Sequence, residues 1–262
     1  IEELSGELEE RAKLAWVELV DAVSNKDEEN AELVIEDKPI APAVLKRAIR
    51  RLTCRLEFVP VLGGSAFKKR GVQPMVDAVI DYLPSPVDVP PAQAQSILDP
   101  EKTISAPPDD SGKFCSLAFK LWSDPFVGKL VFFRVYSGRL TKGDVIYNPR
   151  TRKRERVSRV MMMQADKRVD VETVFSGDIA ALVGLKNIRT GDTLGVEGLD
   201  IVLEPPTFPE PVISMAVEPK TKADRERLGE GLQRLAEEDP TFRCFTDEET
   251  GQLIIAGMGE LH

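Results

Sequence analysis

Six cations fall close together in the middle of the chain: Arg150, Arg152, Lys153, Arg154, Arg156 and Arg159. Side chains of this type at this density suit salt-dependent contact with phosphate groups, which supplies position and affinity rather than sequence readout. The plainer alternative is a solvated hairpin edge kept from aggregating by its charge. No aromatic motif for base stacking accompanies the run, which argues against a dedicated single-strand RNA module. Glu237-Glu238-Asp239 has the residue types of paired carboxylates for acid–base work. Its place at the end of a predicted helix reads instead as a terminus with exposed acids. Met161-Met162-Met163 follows the basic run and reads as core packing.

Other chemistries are excluded by what the sequence lacks. His262 is the one histidine, so a histidine-based metal site or triad within this chain is not expected. Cys54, Cys115 and Cys244 are scattered, form no CxxC, and read as reduced thiols of a cytosolic protein. No GxxxxGK[ST] loop is present to cradle nucleotide phosphates, and no Asp has a recognisable magnesium-holding context. The net charge of −9 hides an asymmetry. Residues 1–40 carry four Lys and Arg against thirteen Asp and Glu, whereas residues 150–168 carry eight against two. Such local basicity is what a nucleic-acid contact needs.

The 262 residues suffice for two or three domains, with 42% hydrophobic and 30% charged residues as in globular proteins. No run of eighteen apolar residues, secretory pattern or heptad seam is visible, so a monomer in the cytoplasm with no membrane contact is expected. The chain opens at Ile1 without Met and reads as a piece of a longer protein.

The elements that must position the basic run are short strands. Val131 to Val135 is β-branched and aromatic, Val145-Ile146-Tyr147 starts another strand, and Ile179 to Leu185 and Thr193-Leu194 supply more. Ser137-Gly138 and Lys142-Gly143-Asp144 punctuate them as turns, a pattern that predicts a small closed β-barrel. Upstream, Leu4, Leu8, Ala12, Ala15, Leu19 and Val23 make one helical stripe over Ile1 to about Val23. Pro42 opens a second helix with Leu45, Ala48, Ile49 and Leu52 inward. Glu57 to Leu62 reads as a strand that runs into Gly63-Gly64-Ser65-Ala66-Phe67. A helix follows from about Pro74, with Met75, Val76, Val79, Ile80 and Leu83 inward, and ends before Pro84. Pro84 to Pro108 reads as a surface linker. After a Pro-rich joint at 204–209, a strand at 212–217, a helix at 222–238 and strands at 241–245 and 251–256 give the β-α-β-β start of a ferredoxin-like domain.

Four barrel motifs carry a resemblance: Gly128-Lys129-Leu130, Arg134-Val135-Tyr136-Ser137-Gly138, Gly177-Asp178-Ile179-Ala180 and Thr190-Gly191-Asp192-Thr193-Leu194. Their series resembles the second domain of the translational GTPases, and most of all that of elongation factor G. The run EPKTKAD, LAEEDPTF, TDEETGQ and AGMGELH is similar to the family's third domain. Gly64-Ser65-Ala66-Phe67-Lys68 resembles the last guanine-nucleotide element, and residues 1 to about 54 resemble part of the insert before it.

The resemblance implies a multidomain α+β chain. Residues 1–95 are the end of a GTPase domain with part of its helical insert, a partial α/β remnant. Residues 96–203 are the β-barrel, and 204–262 are a truncated ferredoxin-like domain. It implies guanine-edge contacts at Ser65, Ala66 and Phe67, and small-subunit ribosomal RNA contact at the basic run. The full-length protein would bind GTP or GDP with magnesium and promote tRNA and mRNA translocation on the ribosome, alongside ribosomal proteins. The family's Asn-Lys-x-Asp guanine reader is missing, since Ser24-Asn25-Lys26-Asp27 lacks its order and preceding strand. This chain alone is therefore expected to bind no nucleotide and to be inactive. The alternatives are another translational GTPase, of the release factor three or ribosomal-protection type, and a non-catalytic RNA- or ribosome-binding adaptor.

Overall fold

The computed structural model describes residues 5–99, 101–124, 126–165, 167–221 and 224–262. The predicted helical positions Ile1 to Leu4 and Lys222, and the Asp166 of the charge count, lie outside the described residues. The chain divides into two compact units, residues 1–89 and 90–262.

The first unit holds α1 (Glu7–Ser24), α2 (Glu28–Ile35), α3 (Pro42–Cys54) and α4 (Val72–Tyr82). Pro42 sits in the first turn of α3, where its missing N–H costs nothing. Leu45, Ala48, Ile49 and Leu52 form the core with Val23, flanked by Leu19, Val20 and Phe58. Helix α2 has no clear apolar period and was not predicted. Its start is fixed by Asp27, whose side chain accepts from the Asn30 amide as an N-cap.

Three expectations need correction here. The α1 stripe is buried only at Val23, while Leu8, Ala12 and Ala15 are exposed, because only the last turns of α1 reach α3. Residues 57–62 form no strand, and Val61 is 91% exposed. Met75, Val76, Val79, Ile80 and Leu83 of α4 and its following turn are exposed, and Ala78 is the buried residue of the helix. One cause explains the last two. A strand needs a neighbour to pair with and the helix needs a sheet to cover, and neither forms among the described residues of this unit. The α/β element is present as its glycine turn and its helix.

The second unit begins with β1 (Ala92–Ser96), β2 (Thr103–Ala106), β3 (Cys115–Asp124), β4 (Gly128–Ser137), β5 (Leu140–Thr141) and β6 (Val145–Asn148). It continues with β7 (Lys153–Arg156), β8 (Val160–Gln164), β9 (Lys167–Val171), β10 (Thr173–Val174), β11 (Ile179–Val183), β12 (Thr193–Gly195) and β13 (Ile201–Leu203). It ends with β14 (Ile213–Val217), α5 (Asp224–Glu238), β15 (Arg243–Thr246) and β16 (Leu253–Gly257).

The order β7-β6-β12-β3-β4-β11-β8-β9 makes one antiparallel sheet, and β5 pairs with β10 beside it. Val131, Phe133 and Val135 of β4 point to one side and are fully buried, as their alternation requires. They share a core with Ile146 near one end of the sheet and Val160 near the other, so the sheet curls into a barrel. Met161 is buried with Leu130 and Ala181, and Met162 lies against the main core, as predicted for that run. At the Ser137-Gly138 turn the backbone is left-handed, with φ of 72°, and a Cβ on Gly138 would stand 2.5 Å from the Phe114 amide nitrogen. No other residue fits there.

The stretch 84–108 is not simply a linker. β1 pairs antiparallel with β2 and with β13, which closes a small sheet over Cys115 and Leu117. The Gln and Ser of this strand hid it, because the strand is short and its alternation is carried by Ala92 and Ala94. In the last segment β16 lies between β14 and β15 and runs antiparallel to both. That order, with α5 as the crossover, is the split βαβ expected of a ferredoxin-like fold.

Candidate nucleic-acid interface

The basic run forms the hairpin β6–β7 and the loop after it. β7 is the last strand on its side of the sheet and pairs only with β6. Arg152 caps the turn in a left-handed conformation, φ 54°. The cations do not act as one patch. Arg150 is clamped to Asp192, with Nε to Oδ1 at 2.6 Å and Nη2 to Oδ2 at 2.8 Å. That carboxylate's hydrogen bond holds the guanidinium pKa above its ordinary value. Arg154 pairs with Glu197, and Arg159 with Asp170 at 2.7 and 2.9 Å. Arg159 in turn holds the Asp170 carboxyl below its ordinary range. Arg156 Nε donates to the Gly143 carbonyl at 3.2 Å and Lys153 Nζ to Asn187 Oδ1 at 3.4 Å. Arg152, Lys153 and Arg156 have no carboxylate partner among the described residues and keep their charge available.

Asp192 also accepts from Asn148 Nδ2 at 2.7 Å and from the Arg189 amide at 2.9 Å. Glu155, the one acid of β7, accepts from the amides of Lys186 and Asn187. These two carboxylates fasten the 186–192 loop to the hairpin. Lys186 and Arg189 therefore belong beside the basic run, although sequence reasoning passed over them. The signal was two cations within four residues of a loop between strands.

Glu237 and Glu238 are not idle. Glu237 Oε2 meets Lys129 Nζ at 3.0 Å, and Glu238 Oε1 accepts from the Ser123 amide at 3.1 Å. Acids at a helix C-terminus face the negative end of its dipole, so these contacts offset an unfavourable placement. Asp239 accepts from Thr241 and meets His262 Nε2 at 2.7 Å. His262 Nδ1 accepts from the Met258 amide, which puts the ring proton on Nε2, toward Asp239.

The predicted guanine-edge residues lie in a tight turn. Ser65 and Arg70 exchange both backbone hydrogen bonds, at 2.9 and 3.0 Å, and the Lys69 amide closes on the Ala66 carbonyl. The amides of Ala66 and Phe67 donate to nothing among the described residues, and Phe67 is 98% exposed. Two outward amides fit the carbonyl edge of a base. The sequence holds no GxxxxGK[ST] loop beside this turn, so the residues present do not fit a whole nucleotide with its magnesium.

Comparison with known proteins agrees with this layout. Residues 128–195 match the family model of elongation factor Tu domain 2, and residues 208–262 that of elongation factor G, domain III. A crystal structure of a protein from Thermus thermophilus is similar to the whole chain, with a TM-score of 0.78 and 26% identity. The match covers 100% of this chain and 37% of that one, so this chain spans little more than a third of its relative's length. The barrel and the split βαβ are thus each similar to a domain of the translation elongation factors. The domain III match follows directly after the barrel match, an order that supports a resemblance to elongation factor G.

Proposed function

We propose that this chain is part of an elongation factor G whose full-length form uses GTP to promote tRNA and mRNA translocation in the cytoplasm. In this reading the barrel and the third domain contact the ribosome and transmit the state of a GTPase domain. The observation that carries it is the order of the two matched domains, with an elongation factor G domain III joined to the barrel. Positive charge on the hairpin supports small-subunit ribosomal RNA as the contact. Arg152, Lys153 and Arg156 carry that role, because Arg150, Arg154 and Arg159 are committed to carboxylates.

Co-sedimentation of the chain with ribosomes across a salt series tests this. Replacing Arg152, Lys153 and Arg156 together by Ala lowers the bound fraction and flattens the salt dependence by about 2 units of log–log slope, given about 0.7–0.9 per phosphate contact. An unchanged slope sinks the RNA contact and leaves the solvated edge.

A further inference from the structure

A cleft of about 490 Å³ opens between the barrel and α5. Its lining includes Lys129, Arg150, Lys186 and Arg189 from the barrel, with Glu237 from α5. Lys129 is engaged by Glu237 and Arg150 by Asp192. Lys186 and Arg189 have exposed side chains and no carboxylate partner among the described residues. Their backbone is nevertheless fixed, since Glu155 accepts from the Lys186 amide and Asp192 from the Arg189 amide. The free cations are thus mounted on a pinned loop, which lowers the entropy lost when they close on a ligand. Two hydroxyls complete the lining. Thr151 Oγ1 and Thr190 Oγ1 are both buried with no hydrogen-bond partner among the described residues. A buried hydroxyl left unpaired is unfavourable, and a turn of either side chain toward the cleft would let a ligand oxygen complete it.

We propose that this cleft is a phosphate-binding site in which Lys186, Arg189, Thr151 and Thr190 converge on the oxygens of one phosphate group. A phosphate offers several acceptor oxygens in different directions, and the donors come from two loops, at 150–151 and 186–190. The volume exceeds that of a lone phosphate and admits a nucleotide unit. A phosphodiester of folded RNA meets these needs, and so does a free phosphate compound. The RNA source rests on the proposed ribosomal contact; the phosphate chemistry does not.

The test uses the full chain with two probes: a fluorescent RNA hairpin read by anisotropy over a salt series, and inorganic phosphate read by amide NMR shifts. Unchanged circular dichroism and thermal unfolding qualify each variant. Lys186→Ala with Arg189→Ala is expected to weaken RNA binding about tenfold and to reduce the salt slope by roughly 0.7–0.9, the share of one phosphate. Thr190→Val removes a hydroxyl and no charge, so it weakens RNA binding by roughly fivefold with the slope unchanged. Inorganic phosphate is expected to shift the amides of residues 186–190 saturably in the wild type and not in the double variant. Suppose these variants bind RNA normally while the Arg152, Lys153 and Arg156 variant binds less, and phosphate shifts nothing. The cleft is then overturned and the hairpin reading stands. If no variant alters RNA binding, both fall for RNA; saturable phosphate shifts in that case keep the site and assign it to a free phosphate compound.

Discussion

Arg150 and Asp192 form a two-point pair in which the carboxylate, only 5% exposed, is also held by Asn148 and the Arg189 amide. The pair joins the β6–β7 turn to the loop before β12. Removing Arg150 leaves a buried carboxylate without its cation. Losing one partner of a buried pair costs about 3–5 kcal/mol, and about 2 kcal/mol is expected here because Arg150 itself is half-exposed. Urea unfolding of Arg150→Ala measures it. Arg152→Ala, at the same turn and without a carboxylate, is expected to change stability by less than about 0.5 kcal/mol. Equal losses in the two variants would contradict the clamp.

Asp27 links the helices of the first unit. Arg51 grips it at 2.8–3.0 Å, and it caps α2. Burial pushes its carboxyl up, but the hydrogen bonds from Asn30 and Arg51 outweigh burial and hold it below the ordinary 3.8. A depressed carboxyl contributes stability above its unfolded value and loses it as pH falls through the folded one. Thermal unfolding is therefore expected to weaken below about pH 3.8 through this group. Asp27→Asn is less stable at neutral pH and shows a smaller drop on acidification. A parallel pH profile in wild type and variant would contradict this role.

Cys115 is buried beneath the β1 sheet, and burial pushes its thiol up to about 12. A thiol that stays protonated and covered is a poor nucleophile at neutral pH. Timed alkylation with mass spectrometry is expected to label the partly exposed Cys54 and Cys244 first, with Cys115 following only on unfolding. Early labelling at Cys115 would mean the small sheet opens readily.

Calorimetry with GTP and magnesium is expected to show no tight binding to this chain. The amides of Ala66 and Phe67 offer two hydrogen bonds, each netting about 0.5–1.5 kcal/mol against water. Association costs an estimated ~4–15 kcal/mol in lost freedom. Micromolar affinity would reveal a nucleotide site built from other residues.

The barrel was legible in the sequence because its strands alternate and its turns carry glycine; Val131, Phe133 and Val135 fall inward as their spacing requires. The split βαβ was legible for the same reason. The first unit was less so. Periodicity marks which face of α4 is apolar, but burial needs a partner, and the face of Met75, Val79 and Ile80 meets none among the described residues. The basic run was visible as composition, whereas its neutralisation was not. Asp192, Glu197 and Asp170 lie far along the chain or across a turn, and only folding brings them to Arg150, Arg154 and Arg159.

The fastening of α5 to the barrel through Lys129–Glu237 and Ser123–Glu238 is polar, and no apolar cluster among the described residues joins the two. A polar clasp of this kind can be undone by water and salt without baring a core. Separating α5 from the barrel therefore carries a small change in heat capacity and a dependence on salt, the signature of a contact made by charge rather than by apolar area.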